Sequence, residues 1–391
     1  MGIHRPGDEA ALSEAVADAA AQGDPIEIVG GGTRSGLGRP VQAARTLETG
    51  GIAGITLYEP GALTLVVKAG TPVAEVEAAL SAEGQRLPFE PMDHRPLLGT
   101  TGEPTIGGVV ACAVSGPRRI AAGACRDAML GVRFVDGRGN IVSNGGRVMK
   151  NVTGYDLVKL MAGQYGTLGV ISEISFKVQP RPQAARSLVI EGLSDTAAQA
   201  ALTTALATPF DVNGAAHLPA TADAPARTVL RVEGIEAQAE YRTLGLANAL
   251  VPHGDAHTLE GAPHESLWAH IRDVGPFAGR EGAVWRVSCR PSDGPAIVAS
   301  LAATRPVEAF YDWGGGLVWL LMPEDDDAGG AAIRAETAAN GGHATLIRAQ
   351  AALRAAVEVF EPAPAPLARI SQGLRDRFDP HGILNPGRMA A

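Results

Sequence analysis

The chain has 391 residues, more than one ordinary core holds, so two domains or a large insertion are expected. Its apolar fraction of 46% is that of a globular protein, and its net charge of −9 argues against a general nucleic-acid binder, which needs clustered Lys and Arg. No apolar run reaches membrane-spanning length, and the acidic, Ala-rich start lacks the features of a signal peptide, so a cytoplasmic chain is expected. Cys112, Cys125 and Cys289 are far apart and form no CxxC, which speaks against a zinc site or an iron–sulfur cluster held by this chain.

Residues 8–22 read as a helix with Leu12, Val16 and Ala19 on one face. Strand IEIV (26–29) runs into GGGTRSG (30–36), and LTLVVKAG (63–70) reads as a second strand. Thr-Pro opens a helix over 71–84, and Gly84 closes it. Residues 130–146 read as a hairpin around Asp-Gly-Arg-Gly, 155–166 as a short helix and 168–180 as an alternating strand. Pro-Arg-Pro (180–182) marks a boundary. Beyond it the order β-α-β-β-α-β appears twice, with HESLWAHIRDV (264–274) between the copies. Two split βαβ units predict one antiparallel sheet covered by helices on one face. PAPAP (362–366) then leads to a final helix and a Pro-Gly turn.

Glycines at a strand end allow close approach to a partner, and main-chain N–H groups in such a loop form a nest for phosphate. The dinucleotide pattern GxGxxG fails because the sixth residue from Gly30 is Ser35. The P-loop pattern fails because Gly36 is followed by Leu37. A tight turn needs only one or two glycines, so three in a row favour a phosphate. A second glycine-rich stretch, 103–132, sets Gly107, Gly108, Gly116 and Gly123 among small residues with Arg118, Arg119, Arg126 and Asp127. Small residues there could pack helix on sheet, but arginines suit a phosphate or a paired carboxylate.

The segments GGGTRSG (30–36), PTIGG (104–108), GPRR (116–119), RDAMLGV (126–132), KNVTGYDL (150–157), GTLGVISEISFKV (166–178) and DPHGILNPGR (379–388) occur in one order. In that order the chain resembles the FAD flavoproteins of the vanillyl-alcohol oxidase, or PCMH, type. The resemblance implies an α+β fold. Residues 1–180 would form a PCMH-type FAD-binding domain and 181–361 a cap, with 362–391 returning to the FAD domain. It implies that Gly30, Gly31, Gly32, Thr33, Arg34, Ser35 and Gly36 hold the FAD pyrophosphate. Thr105, Ile106, Gly107 and Gly108 would pass beside it. Ser115, Gly116, Arg126 and Asp127 would continue the wall. Gly169, Val170 and Ile171 would meet the adenine end, and Asn385 the flavin edge. The glycine loop has no His, and neither Cys112 nor Cys125 matches an attachment position, so non-covalent FAD is expected.

LWAHIRD (267–273) and DWGGGLVWL (312–320) resemble a narrower group, the smaller FAD-binding subunit of bacterial glycolate oxidase. That resemblance implies oxidation of a small 2-hydroxy acid to a 2-oxo acid, with a larger FAD-binding subunit and an iron–sulfur subunit as partners. It also implies membrane association only through those partners. A stand-alone hydroxyacid or alcohol dehydrogenase and a non-catalytic assembly subunit are the alternatives. The Gly-Asp-Gly-Asn segment and metal-binding histidines of the catalytic hydroxyacid dehydrogenases are missing from YDWGGGLVWLL (311–321), and no metal is expected. His253 and His257 read as surface residues. The chemistry needs a base and a cation for the carboxylate. Arg286 and Arg290 are candidates for the cation, although exposed strands often carry Arg. Tyr155, Tyr311 and His217 are candidates for the base, and none is singled out.

Overall fold

The computed structural model describes residues 2–148 and 154–389, so residues 150–153 of the KNVTGYDL segment lie outside the described residues. Residues 1–115, 124–181 and 362–391 form one unit, and residues 116–123 with 182–361 form another.

In the first unit, Asp8 caps the helix Glu9–Gln22 by accepting from Ala11 N, and Gly23 ends it in the left-handed region. The apolar stripe Leu12, Val16 and Ala19 is fully buried against Ile26, Leu47, Val135 and Val170. Ile383 and Leu384 from the tail enter the same core. Strands Gly2–His4, Arg45–Glu48 and Ile26–Val29 make a small parallel sheet. A second, antiparallel sheet has the order Ile55–Glu59, Thr64–Lys68, Val170–Lys177, Met129–Val135, Ile141–Gly145. The expected helix over 155–166 is shorter, Leu157–Met161, because Gly163, Tyr165 and Gly166 all take positive φ and turn the chain away.

The second unit holds one antiparallel sheet of eight strands. Its order is Ala256–Glu260, Ala184–Glu191, Arg227–Gly234, Val212–Leu218, Glu308–Asp312, Leu317–Met322, Ala283–Ser288, His343–Arg348. The two copies of the split βαβ pattern are thus arranged as mirror-ordered halves. They meet at a single bridge, His217 opposite Tyr311. Helices Asp195–Leu206 and Glu236–Leu250 cover one face of the first half through Ala201, Leu202, Leu246 and Leu250. Helices Gly294–Ala302 and Gly330–Ala339 cover the same face of the second half through Ile297, Leu301 and Ile333.

The expectation that helices lie on one face only is corrected here. Helix Gly261–Arg272 lies on the opposite face. Its Trp268 Nε1 and His264 Nδ1 both reach Ser187 Oγ at 2.8 Å, and Ser187 alternates with the helix-facing Leu188. Trp268 is also covered by the Arg231 guanidinium, 4.3 Å from the ring centroid.

Candidate functional site

A pocket in the first unit opens along the end of strand Ile26–Val29. The glycine loop makes its wall because the loop is pressed from behind. A methyl group at Gly31 would overlap the Glu103 carbonyl oxygen, and one at Gly30 would overlap the Thr105 hydroxyl. Gly32 takes φ +75°, which reverses the chain. Among the described residues, no protein acceptor receives the N–H groups of Gly31, Gly32, Thr33 or Arg34. Such a run of free N–H groups beside a turn is an anion nest.

Arg34 strengthens that reading. Its half-buried guanidinium gives one bond to the Met92 carbonyl, at 3.1 Å, and a longer one to Thr33. Its Nε is buried with no partner, and no carboxylate lies within ion-pair distance of it among the described residues. Burial pushes its pKa below the ordinary arginine value, opposed by the more distant Cys112 and Asp93. A half-buried cation with an unpartnered buried Nε suits a ligand that brings negative charge.

The far wall comes from Thr105, Gly107 and Gly108. Thr105 caps a short helix, Ile106–Ala111, and accepts from Gly108 N. A methyl group at Gly107 would stand 2.7 Å from the Ala69 methyl, so this helix can lie close only with glycine there. The tail closes the pocket. Asn385 accepts from Ile28 N at 2.8 Å and donates to the Tyr165 carbonyl at 2.7 Å. Arg388 donates to the carbonyls of Ser35 and Leu37, both at 3.1 Å, and pairs with Glu27 at 2.9 Å. The strand, the glycine loop and the Tyr165 turn are thereby fixed by two side chains more than 200 residues further along the chain.

The pocket brings together most of the residues marked from sequence: Gly30 to Ser35, Thr105, Gly107, Gly108, Gly169, Val170, Ile171 and Asn385. Gly36, Ile106, Ser115, Gly116, Arg126 and Asp127 are not in its lining. Gly36 faces Leu98, and Ile106 is fully buried. Ser115 Oγ accepts from Cys125 N, Asp127 accepts from Ala124 N, and the Arg126 side chain is 58% exposed. Gly116 belongs to the second unit, where its carbonyl accepts from Trp313 Nε1. Sequence reasoning gave no role to Arg388 or Gln164, although both line the pocket. Arg388 stood inside the quoted DPHGILNPGR segment. Gln164 holds the 164–169 turn by bonding Leu168 N and the Gly169 carbonyl. Cys112 lines the pocket, whereas Cys125 is fully buried and burial pushes its thiol pKa up.

The candidate bases lie elsewhere. His217 and Tyr311 are buried in the second unit and are bonded to Asp195, and Tyr155 is 88% exposed in the first unit. His253 meets Thr204 in a 3₁₀ turn, while His257 sits on the edge strand, so they do not share a helical face. Arg290 is paired with Asp293. The pocket residues fit FAD: free N–H groups and a half-buried guanidinium for the diphosphate, and a glycine-lined slot for flat rings.

Comparison with known proteins agrees. A family model described as "FAD binding domain" matches residues 2–145. The chain is 37% identical over 384 residues to "Glycolate oxidase subunit GlcE" of Escherichia coli, covering 97% of each chain. It is 32% identical over 161 residues to "Glycolate oxidase subunit GlcD" of Bacillus subtilis, covering 41% of this chain and 31% of that one. A solved structure of 4-ethylphenol oxidase from Gulosibacter chungangensis superposes with a TM-score of 0.74 over 99% of this chain and 88% of that chain. At 16% identity, that likeness speaks for the fold alone.

Proposed function

The chain belongs to the FAD-binding flavoproteins of the vanillyl-alcohol oxidase type and is closely related to the GlcE subunit of glycolate oxidase; from that premise we propose that it is the FAD-binding subunit of a complex that oxidises glycolate, or a closely similar 2-hydroxy acid, to the 2-oxo acid. One observation carries the reading. Likeness to GlcE runs through both units and 97% of each chain, whereas likeness to GlcD spans only 161 residues. The likeness to GlcE therefore takes in both units, which a match of 161 residues is too short to do.

FAD is held without a covalent bond. In the proposed assignment the Gly31–Arg34 N–H groups and the Arg34 guanidinium take the diphosphate. Thr105, Gly107 and Gly108 form the opposite wall, Gly169 to Ile171 meet the adenine end, and Asn385 fixes the flavin-side turn. The bound flavin would supply the acceptor for hydride from the α-carbon of the substrate. Partners in the proposal are a larger FAD-binding subunit and an iron–sulfur subunit that carries electrons onward. Among the described residues, no helix is long and apolar enough to cross a membrane. In this reading the chain is cytoplasmic and meets a membrane only through its partners.

The test is an absorbance spectrum of the purified chain, then glycolate added without air, alone and with partner chains. Flavin bands that bleach with glycolate only in the complex are expected. A chain that takes up no FAD when it is supplied would sink the proposal.

A further inference from the structure

We infer that Tyr165 is a further FAD-binding residue, whose ring is held against the flat ring of the flavin by a left-handed backbone turn. Among the described residues it is the one aromatic residue in the pocket lining, and it is half-buried there. The rest of that lining is mostly glycine, alanine, serine and threonine with short aliphatic side chains. Glycine lets a flat ring approach, but it offers no face to stack on. An aromatic ring offers that face, offset-stacked or edge-on.

The backbone singles out the same residue. Among the described residues of the first unit, five that are not glycine take a positive φ: Leu63, Glu90, Ala113, Tyr165 and Asn385. Three of them, Asn385 at φ +42°, Ala113 at +50° and Tyr165 at +54°, are tied together at one end of the pocket. The Asn385 side chain donates to the Tyr165 carbonyl at 2.7 Å. Tyr165 N donates at 2.8 Å to the carbonyl of Ala111, two residues before Ala113. Both backbone polar groups of Tyr165 are thus committed, and Gly163 N adds a bond to the Val110 carbonyl at 3.0 Å.

A bulky side chain in the left-handed region carries a backbone cost that glycine does not. The next residue shows the alternative. Gly166 also takes a positive φ, +76°, and a methyl group there would overlap the Asn385 side-chain amide. Tyr165 keeps its ring at a position where glycine would turn the chain more easily. Strain of this kind gathers at ligand clamps, where surrounding bonds over-determine it. The Gln164 amide, bonded to Leu168 N and the Gly169 carbonyl, stiffens the same turn toward its other end. That the ring facing Tyr165 is a flavin rests on the function proposed above.

The test reads apo melting, FAD titration and emission of the bound flavin in variants of the full chain. Tyr165→Ala and Tyr165→Gly should both weaken FAD roughly five- to a hundredfold, because both lose the ring. Apo Tyr165→Gly should melt above apo Tyr165→Ala, because only glycine relieves the left-handed turn. Tyr165→Phe should hold FAD about as tightly as the wild type, but its bound flavin should emit more strongly. A phenol lends an electron to an excited flavin and takes it back, which quenches emission; a phenyl ring does not. This variant also covers a failure of the smaller ones to fold. Wild-type FAD affinity in Tyr165→Ala, equal melting of the Ala and Gly variants, or unchanged emission in Tyr165→Phe overturns the inference and leaves FAD binding in place. A wild-type chain that takes up no FAD overturns the proposed function and the inference together. The expected variant behaviour in a protein whose assembled complex leaves glycolate untouched overturns the proposed substrate and keeps this contact.

Discussion

His217 and Tyr311 face each other across the one bridge that joins the two halves of the eight-stranded sheet, and the Asp195 carboxylate is bonded to both. Tyr311 donates to Asp195 at 2.6 Å, and His217 Nε2 stands 3.3 Å from it. The other imidazole nitrogen is bonded to the Thr228 hydroxyl at 3.0 Å. Both ring residues are less than 3% exposed, so this cluster fastens the seam.

The seam should be sensitive to acid. Burial opposes the Asp195 charge, but the bonds from His217 and Tyr311 outweigh it and hold the carboxyl below its ordinary value. A depressed folded pKa gives stability that is full above the unfolded value of about 4 and is lost as the pH falls through the folded one. Asp195→Asn should therefore lose less melting temperature than the wild type between pH 7 and pH 3. Tyr311→Phe should cost about 1–3 kcal/mol at neutral pH. Equal acid losses in wild type and Asp195→Asn would show that the carboxylate does not carry the effect.

Gly31→Ala should strip the protein of FAD, because the added methyl group meets the Glu103 carbonyl and must push the loop into the pocket. Gly32→Ala meets no atom within 4 Å and bears only the left-handed backbone cost, about 1 kcal/mol. The ratio of flavin to protein absorbance after gel filtration separates the two. Equal retention would remove the argument that the loop is pressed from behind.

Arg34→Met should act in opposite directions on two readouts. The apo protein should keep or gain thermal stability, since a half-buried cation with an unpartnered Nε is removed. FAD affinity should fall by roughly tenfold or more, as a charge-assisted contact to the diphosphate is lost. Unchanged FAD affinity by fluorescence titration would take Arg34 out of the site.

Asn385→Ala should lower stability by about 1–3 kcal/mol, because Ile28 N and the Tyr165 carbonyl lose their partner. Arg388→Met should do the same to the Ser35 and Leu37 carbonyls. A double mutant measured by chemical denaturation should lose less than the sum, since both side chains hold the same strand and loop. Strict additivity would mean that tail and loop are fastened independently.

Most of the proposed FAD pocket was legible in the sequence as a cluster because glycine and N-cap residues leave local marks. The GGG run, Thr105 before Ile106 and Gly107, and Asn385 before a Pro-Gly turn each state a backbone need. The helical and strand periods of the second unit were legible for the same reason. The face chosen by helix Gly261–Arg272 was not, because an apolar stripe tells that one side is buried and not against which side of the sheet. Nor was the placement of Gly116, whose glycine signal is the same beside a cofactor or beneath Trp313. The Asp195–His217–Tyr311 cluster joins residues up to 116 positions apart, and no local pattern announces it.

Residues 116–123 have a consequence for anyone who would exchange modules between relatives. The polypeptide leaves the FAD unit after Ser115, returns at Ala124, and crosses again at 181/182 and 361/362. Arg118 within this detour grips Glu233, whose carboxylate is only 4% exposed, and Ile120 packs on the first helix layer. A chimera spliced only at the two later crossings would pair a foreign detour with this layer and leave Glu233 facing whatever side chain the donor supplies at position 118. Grafts should carry three pieces of chain rather than two.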